Sequence, residues 1–341
     1  MSGAERRPAR AVRVFAWLGA ALGLSLLLSV LVGSMPAAPL DVLRGLVGGH
    51  DEAVATVVRR IRLPRALLAG VVGACLSLAG LGFQAISRNP LADPSVLGVS
   101  SGASFGVTVA VLLGLAGPAA HPALMALFAF AGALLAAVSV YAVAQVDGRL
   151  PTATLLLSGV IIGLFFTSCV MLATVLLAAG ELQGVVFWLM GSLAPAGLST
   201  LAVLGVVLAV GLAVLAREAG RLNVLALGEE QALQLGVEAE QVKRRIFVAA
   251  SLTTGAAISA AGSIGFVGLI VPHAARLLLG PDNRRLVPAA ALLGAAFLML
   301  ADLLARTVAR PMELPVGVIT SFCGAPLFIY LLRARRGGEL S

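Results

Sequence analysis

The chain has 341 residues, of which 60% are hydrophobic and 12% charged, and its formal net charge is +8. A soluble domain needs more charge than this to cover its surface, and a membrane barrel would read as short alternating segments, so the composition leaves a polytopic α-helical membrane protein. The positive balance reads as basic residues at helix ends that set topology, rather than as a nucleic-acid surface.

A basic head, "MSGAERRPARAVRVF", leads into an apolar run from Val14 to Gly33. That run exceeds the roughly 7–15 residues of a signal-peptide core, so it is expected to stay as a first span. Nine more spans are expected at about 66–86, 94–114, 122–144, 153–178, 198–216, 246–264, 265–280, 286–305 and 314–332. Each approaches the length a helix needs to cross hydrocarbon. Trp17, Tyr141, Trp188 and Tyr330 fall near span ends, where interfacial aromatics belong. With the N-terminus in the cytoplasm, 17 of the 24 basic residues lie inside and the tail "RARR" returns there. The charge rule is then met with both termini cytoplasmic. Cys75, Cys169 and Cys323 sit in apolar spans without a CxxC or a His/Cys cluster, and read as packing residues.

"VVRRIRLPRALLAG" breaks the charge pattern, because Arg59, Arg60, Arg62 and Arg65 fall outside, as do Arg306 and Arg310 after the ninth span. Two readings are open. The arginines snorkel or pair with nearby acids, as Asp302 would four residues before Arg306 on the same helix face. Alternatively they form a docking surface for an acidic partner outside the membrane.

"SRNPLADPSVLGVSSGASFG" (87–106) follows the second span. Asn89 before Pro90 is pushed out of helical geometry, while Asp93 and Pro94 read as the N-cap and first helical position of the third span. Gly98, Ser100, Ser101 and Gly102 give that span a slim face. "GSIGFVGLIVPHAARLLLGPDN" (262–283) is interrupted by Gly265, Gly268 and Pro272. Irregular backbone at membrane depth is tolerated where it is buried or lines a cavity, so both stretches are candidate walls or gates of a pathway. "GACLSLAG" (73–80) and "GAAISAAG" (255–262) share five of eight residues, which fits either an inverted repeat or chance in a Gly/Ala-rich chain.

Residues 217–245 form a cytoplasmic loop with ten of the 40 charged residues. Within it, Gly228 precedes a short helix with Glu229 and Glu230 in its first turn, and Gly236 suits its C-terminal cap. Ala232, Leu233 and Leu235 give it an apolar side. Two turns of helix do not persist alone in water. It packs either on the chain's own cytoplasmic face or in a groove of a cytoplasmic partner. Lys243, in "QVKRR", is the sole lysine, and no glycine-rich phosphate loop contains it, so any ATP chemistry belongs to another polypeptide. There is no HExxH, no paired acids in a span and no nucleophile beside a base, which argues against an enzyme. His273 and Asp302 are ionisable groups in or near spans. Each either serves the pathway or has a local role, His273 bonding a carbonyl freed by Pro272 and Asp302 neutralising Arg306. So few buried acids argue against an ion-coupled secondary transporter.

The stretch "RLPRALLAGVVGACLSLAGLGFQAISRNPLADPSVLGVSSGASFG", with "LNVLALGEEQALQLGV", "GFVGLIVPHAARLLLGPDNRRLVPAAALLGA", "LADLLART" and "ELPVGVITSFCGAPLFIYLL", resembles the permease subunits of ABC importers for iron-siderophores, haem and cobalamin, the FecCD-type family. The resemblance runs from about Arg59 to Leu332. It implies one transmembrane domain of about ten helices with the type II ABC importer permease fold, in a bacterial inner membrane. It also implies a homodimer with the pathway on its two-fold axis, and two cytoplasmic ABC ATPase subunits that hold ATP and magnesium. A periplasmic or lipid-anchored substrate-binding protein completes the assembly, and the chain itself holds no cofactor or metal. On this resemblance Arg62, Arg65 and Arg306 meet acids on the two lobes of the binding protein. Arg59, a further docking candidate, and Arg60 are extra basic charges to which the resemblance assigns no role; long-range steering is one open reading. Gly228, Glu229, Glu230, Leu233, Leu235 and Gly236 correspond to the coupling helix. Asn89, Pro90 and Leu91, with Thr152 and Ala153 opposite, correspond to the cytoplasmic gate, although Ala153 offers no side-chain hydrogen bond. The expected cargo is an iron(III)-siderophore, with haem or cobalamin as alternatives.

Overall fold

A computed structural model describes residues 3–33, 35, 37–47, 52–115, 122–193 and 197–338 of the protein. Apolar runs in a membrane must satisfy their backbone groups internally, and the described residues accordingly form helices. In chain order these are α1 (Gly3–Leu31), α2 (Pro39–Val47), α3 (Glu52–Val57), α4 (Leu63–Ile86), α5 (Val99–Leu112), α6 (Pro122–Ala144) and α7 (Thr152–Val175). There follow α8 (Ala179–Leu189), α9 (Leu198–Leu225), α10 (Glu229–Gln234), α11 (Ala239–Ala261), α12 (Val267–Leu279), α13 (Asn283–Thr307) and α14 (Val316–Gly338). Each expected span falls on a helix, and among the described residues 6 helices are long and apolar enough to cross a membrane. The helices α5 and α12 and the apolar part of α14 are shorter.

Several boundaries differ from the sequence reading. The third span does not start at Pro94. Asp93 does cap there, accepting the Ser95 amide at 2.8 Å, but it caps a tight turn over Pro94–Leu97. Gly98 then takes a left-handed conformation (φ 74) and α5 starts at Val99. A Cβ at Gly98 would stand 3.1 Å from the Gly163 amide of α7, so both the turn and the close approach require glycine. The charged loop is shorter than 217–245, because α9 runs to Leu225 and α11 starts at Ala239. The pairing of Glu218 with Arg221 helps α9 continue past its apolar stretch. α2, α3 and α8 were not anticipated. Of the cysteines, Cys75 is a buried packing residue as expected, whereas Cys323 is exposed on α14.

α4 is the hub of the bundle, packing against α9, α11, α12 and α13. Its glycines let backbones touch. A Cβ on Gly73 would lie 2.2 Å from the Gly294 carbonyl oxygen of α13, and one on Gly80 would lie 1.9 Å from that of Gly268 in α12. These contacts account for the small residues of "GACLSLAG" through packing. Gly80→Leu is therefore expected to cost more than the roughly 1–3 kcal/mol of ordinary overpacking, since backbone must move. Size-exclusion chromatography in detergent should show loss of the monodisperse peak. Gly19→Leu, where a Cβ would meet nothing within 4 Å, should elute unchanged.

Candidate functional site

The arginine cluster is built around a π turn. A proline inside a helix donates no amide and crowds the carbonyl four residues back. Just before Pro64 the chain widens into a single π turn, Val58–Arg62, with the Leu63 amide reaching the Val58 carbonyl. This turn leaves Arg59 and Arg60 exposed and sends Arg62 and Arg65 inward.

Arg62, 3% exposed, donates to the carbonyls of Val30 at 3.1 Å, Leu31 at 2.9 Å and Met35 at 2.6 Å. It thus caps α1, whose last carbonyls have no partner within the helix. Arg65, 8% exposed, donates to Asp302 Oδ1 from Nε at 3.0 Å and lies 2.7 Å from Glu313 Oε2 through Nη1. Arg306, 3% exposed, places Nε 2.9 Å from Asp302 Oδ2 and Nη2 3.3 Å from the Ser29 carbonyl. The Arg306–Oδ2 contact is ionic without hydrogen-bond alignment. Asp302 itself is fully buried between two guanidiniums.

Arg62, Arg65 and Arg306, expected from the sequence to meet acids on an outside partner, are buried here and hold acceptors within the chain. The local pairing of Asp302 with Arg306 is present in this arrangement. Arg59, held lightly through Nη2 to the Leu46 carbonyl at 2.9 Å, stays on the surface with Arg60 and Arg310. Glu313, which sequence reasoning missed, is the second carboxylate of the cluster; its side chain is 40% exposed.

At the other charged end, α10 is held by ion pairs. Gly236 is left-handed (φ 77) after the helix, as its cap position predicts. Ala232 is buried beneath α10, while Leu233 and Leu235 face outward, so the helix does not pack its leucines on its own chain. Glu230 is exposed as well. Glu229 reaches Arg88 at 3.3 Å and Lys243 at 2.9 Å. Lys243, 3% exposed, also contacts Glu240 at 3.0 Å and the Leu150 carbonyl at 3.1 Å. Glu240 accepts the Leu150 amide at 2.7 Å. Lys243 thus ties α10 to the segment just before Thr152, and Arg88 ties it to the segment just before Asn89. Sequence reading found Lys243 as the sole lysine but gave it no role, because Leu150 lies 93 residues away.

The gate candidates sit beside these ties. Asn89 Oδ1 accepts the Leu91 amide at 2.9 Å, closing a turn in which Arg88 is itself left-handed (φ 49) and Pro90 blocks helix continuation. Asp93 is buried behind it; burial pushes its carboxyl up, and the bonds from Ser95 pull it back. Thr152 opens α7 half-buried and Ala153 is exposed. Among the described residues no hydrogen bond or ion pair joins Asn89–Leu91 to Thr152 or Ala153.

A cavity of about 640 Å³ lies between the interrupted stretches and α14, lined by Ser95, Met190, Ser263, Gly265, Ser321 and Phe322 among others. Both stretches read from sequence as candidate pathway walls contribute to it, and among the described residues no charged side chain lines it. His273 is half-buried on α12 and is not part of the lining. Among the described residues no group of three His, Cys, Asp or Glu could hold a metal.

The sequence profile of the FecCD transport family matches residues 21–334. The cobalamin import system permease protein BtuC of Halobacterium salinarum is 46% identical over 300 residues, 88% of this chain and 79% of that protein. The hemin transport system permease protein HmuU of Yersinia pestis is 39% identical over 291 residues, 84% of this chain and 86% of that protein. A solved inward-facing structure, assigned to the metal-chelate type of ABC transporter, superposes with a TM-score of 0.82 at 31% identity, covering 94% of this chain and 99% of that one.

Proposed function

The chain belongs to the FecCD transport family, and on that premise we propose that it is the membrane-spanning subunit of an ATP-driven importer for a bulky metal chelate, an iron(III)-siderophore first. Two copies enclose a pathway on their two-fold axis in a bacterial inner membrane, with both termini cytoplasmic. Two ABC ATPase subunits seat α10 and hold ATP and magnesium, and a periplasmic or lipid-anchored binding protein delivers the cargo. The chain performs no covalent chemistry and needs no cofactor of its own.

The observation that carries this reading is the pair of ties on α10. A partner that moves α10 pulls, through Glu229, on Arg88 beside Asn89–Leu91 and on Lys243 beside Leu150 and Thr152. The outward leucines, Leu233 and Leu235, supply the apolar contact for that partner. ATP binding then shifts the permease between states only through the ATPase's different affinity for each. The uncharged cavity supports a cargo that slides past hydroxyls and apolar groups without an ionic trap. Cobalamin or haem is the second reading, favoured by the 46% identity to the BtuC protein.

Vesicles containing the permease, its ATPase and its binding protein should accumulate one of ⁵⁵Fe-loaded hydroxamate siderophore, hemin or cyanocobalamin when ATP is supplied. Uptake of any of these by the permease alone under a proton or sodium gradient would reject the reading.

Docking of the binding protein is assigned to the exposed Arg59, Arg60 and Arg310, held in place by the buried cluster. Reversing all three to glutamate should slow association by on the order of 10-fold or more at low salt and flatten its salt dependence, because rim charges act mainly on encounter. Stopped-flow rates indistinguishable from the parent chain would remove these residues from the docking surface.

A further inference from the structure

The apolar stretch of α9 ends at Ala216, and Arg217 and Arg221 follow. With Gly220, Val237 and Arg284 they line a cavity of about 420 Å³. The charge there is not balanced. Buried Glu218 holds Arg221 and Arg245, each at 2.9 Å. Asp282 caps α13, accepts from Asn223 at 2.6 Å and lies 4.0 Å from Arg285. Among the described residues, three arginines (217, 221 and 284) and no carboxylate line this cavity, and of the three Arg221 has the carboxylate partner, Glu218. The side chains of Arg217 and Arg284 make no ion pair or hydrogen bond among the described residues. Arg284 reaches α9, its Nη2 3.0 Å from where a Cβ on Gly220 would be, so a side chain at 220 would crowd the guanidinium.

An apolar stripe leads to this cavity. Val206, Val210 and Ala213 are exposed on α9 at steps of four and three residues, and Arg217 follows four residues later on the same face. Val206 to Arg217 spans about 16 Å at 1.5 Å per residue, close to half of a roughly 30 Å hydrocarbon core. An acyl chain lying along the stripe delivers its phosphate to the arginines.

We propose that Arg217, Arg221 and Arg284 form a binding site for a phosphate group carried by a membrane phospholipid, with preference for an anionic one. Arginine from two helices 67 residues apart supplies planar donors for phosphate oxygens, and net positive charge in a basic pocket between spans favours a headgroup with no compensating amine. Val237, directly after Gly236, forms part of the wall, so the lipid also touches the turn that joins α10 to α11.

Native mass spectrometry of the full chain in detergent tests this, by titration with phosphatidylglycerol, with phosphatidylcholine of the same tails, and with inorganic phosphate. Arg217→Gln with Arg284→Gln leaves Glu218 its two partners, so folding is kept. Gly220→Leu crowds Arg284 without removing charge. Both variants should bind phosphatidylglycerol more weakly, the double variant by about 10-fold or more. Arg149→Gln with Arg244→Gln, which removes equal charge elsewhere on the same side, should stay within about 2-fold. Phosphatidylcholine should bind weakly throughout. Unchanged phosphatidylglycerol affinity in both groove variants overturns the site. Displacement of the lipid by millimolar phosphate overturns the lipid as its source. Loss of ATPase copurification with lipid affinity intact overturns it in favour of a protein contact.

Discussion

Asp302→Ala is expected to strand Arg65 and Arg306 as buried cations and to cost about 3–5 kcal/mol, the usual penalty for breaking a buried ion pair from one side. The two arginines sit 2.9 Å from its carboxylate oxygens and are 8% and 3% exposed. Arg65 would keep Glu313, but Arg306 would retain only carbonyl oxygens of residues 302 and 29. Against a folding free energy of about 5–15 kcal/mol, such a loss is severe. The measurement is the thermal midpoint and monodisperse yield of the purified chain in one detergent. Asp302→Leu combined with Arg306→Leu removes both charges of the i,i+4 pair and should recover at least half of the deficit, since apolar replacement of a whole buried pair is often close to neutral. Parent-like stability of the single variant would show that Asp302 does not hold the cluster. A double variant no better than the single one would show that Arg306 is not what Asp302 neutralises.

Lys243→Met is the second large effect, and it should fall on transport more than on folding. Glu229 and Glu240, its carboxylate partners, are 39% and 31% exposed, so solvent covers part of the loss and stability should drop by only about 1–2 kcal/mol. The tie from α10 to the Leu150 carbonyl is nevertheless cut. ATP-driven uptake should fall by on the order of 10-fold while the ATPase still copurifies, because coupling needs a connected element with two positions, not merely a docked partner. Cargo moved per ATP hydrolysed reports this directly. An unchanged ratio would mean that the path from α10 runs through Arg88 or elsewhere.

These two sites also mark where sequence reading stops. Asp302 and Arg306 are neighbours on one helix turn, so their pairing was legible from spacing, as was the Asp93 cap, the left-handed Gly236 and the short helix between Gly228 and Gly236. Arg65 reaches Asp302 across 237 residues, and Arg62 reaches the end of α1 across about thirty. No local pattern carries such a distance. Charge counting placed the arginines in one cluster but could not distinguish a surface patch from an internal cap, because that depends on which acceptors other helices bring.

Hydrophobic length and the scarcity of charge settle a polytopic helical membrane protein from the chain alone, since a bilayer admits few other solutions. The motifs also pointed to the family. Tertiary structure alone decided which arginines are buried and which remain exposed, that α10 is tied to the segments beside Asn89 and Thr152, and that the two interrupted stretches share one cavity. Each of these depends on side chains meeting from helices far apart in sequence. Burial and pairing are properties of that meeting, not of either residue.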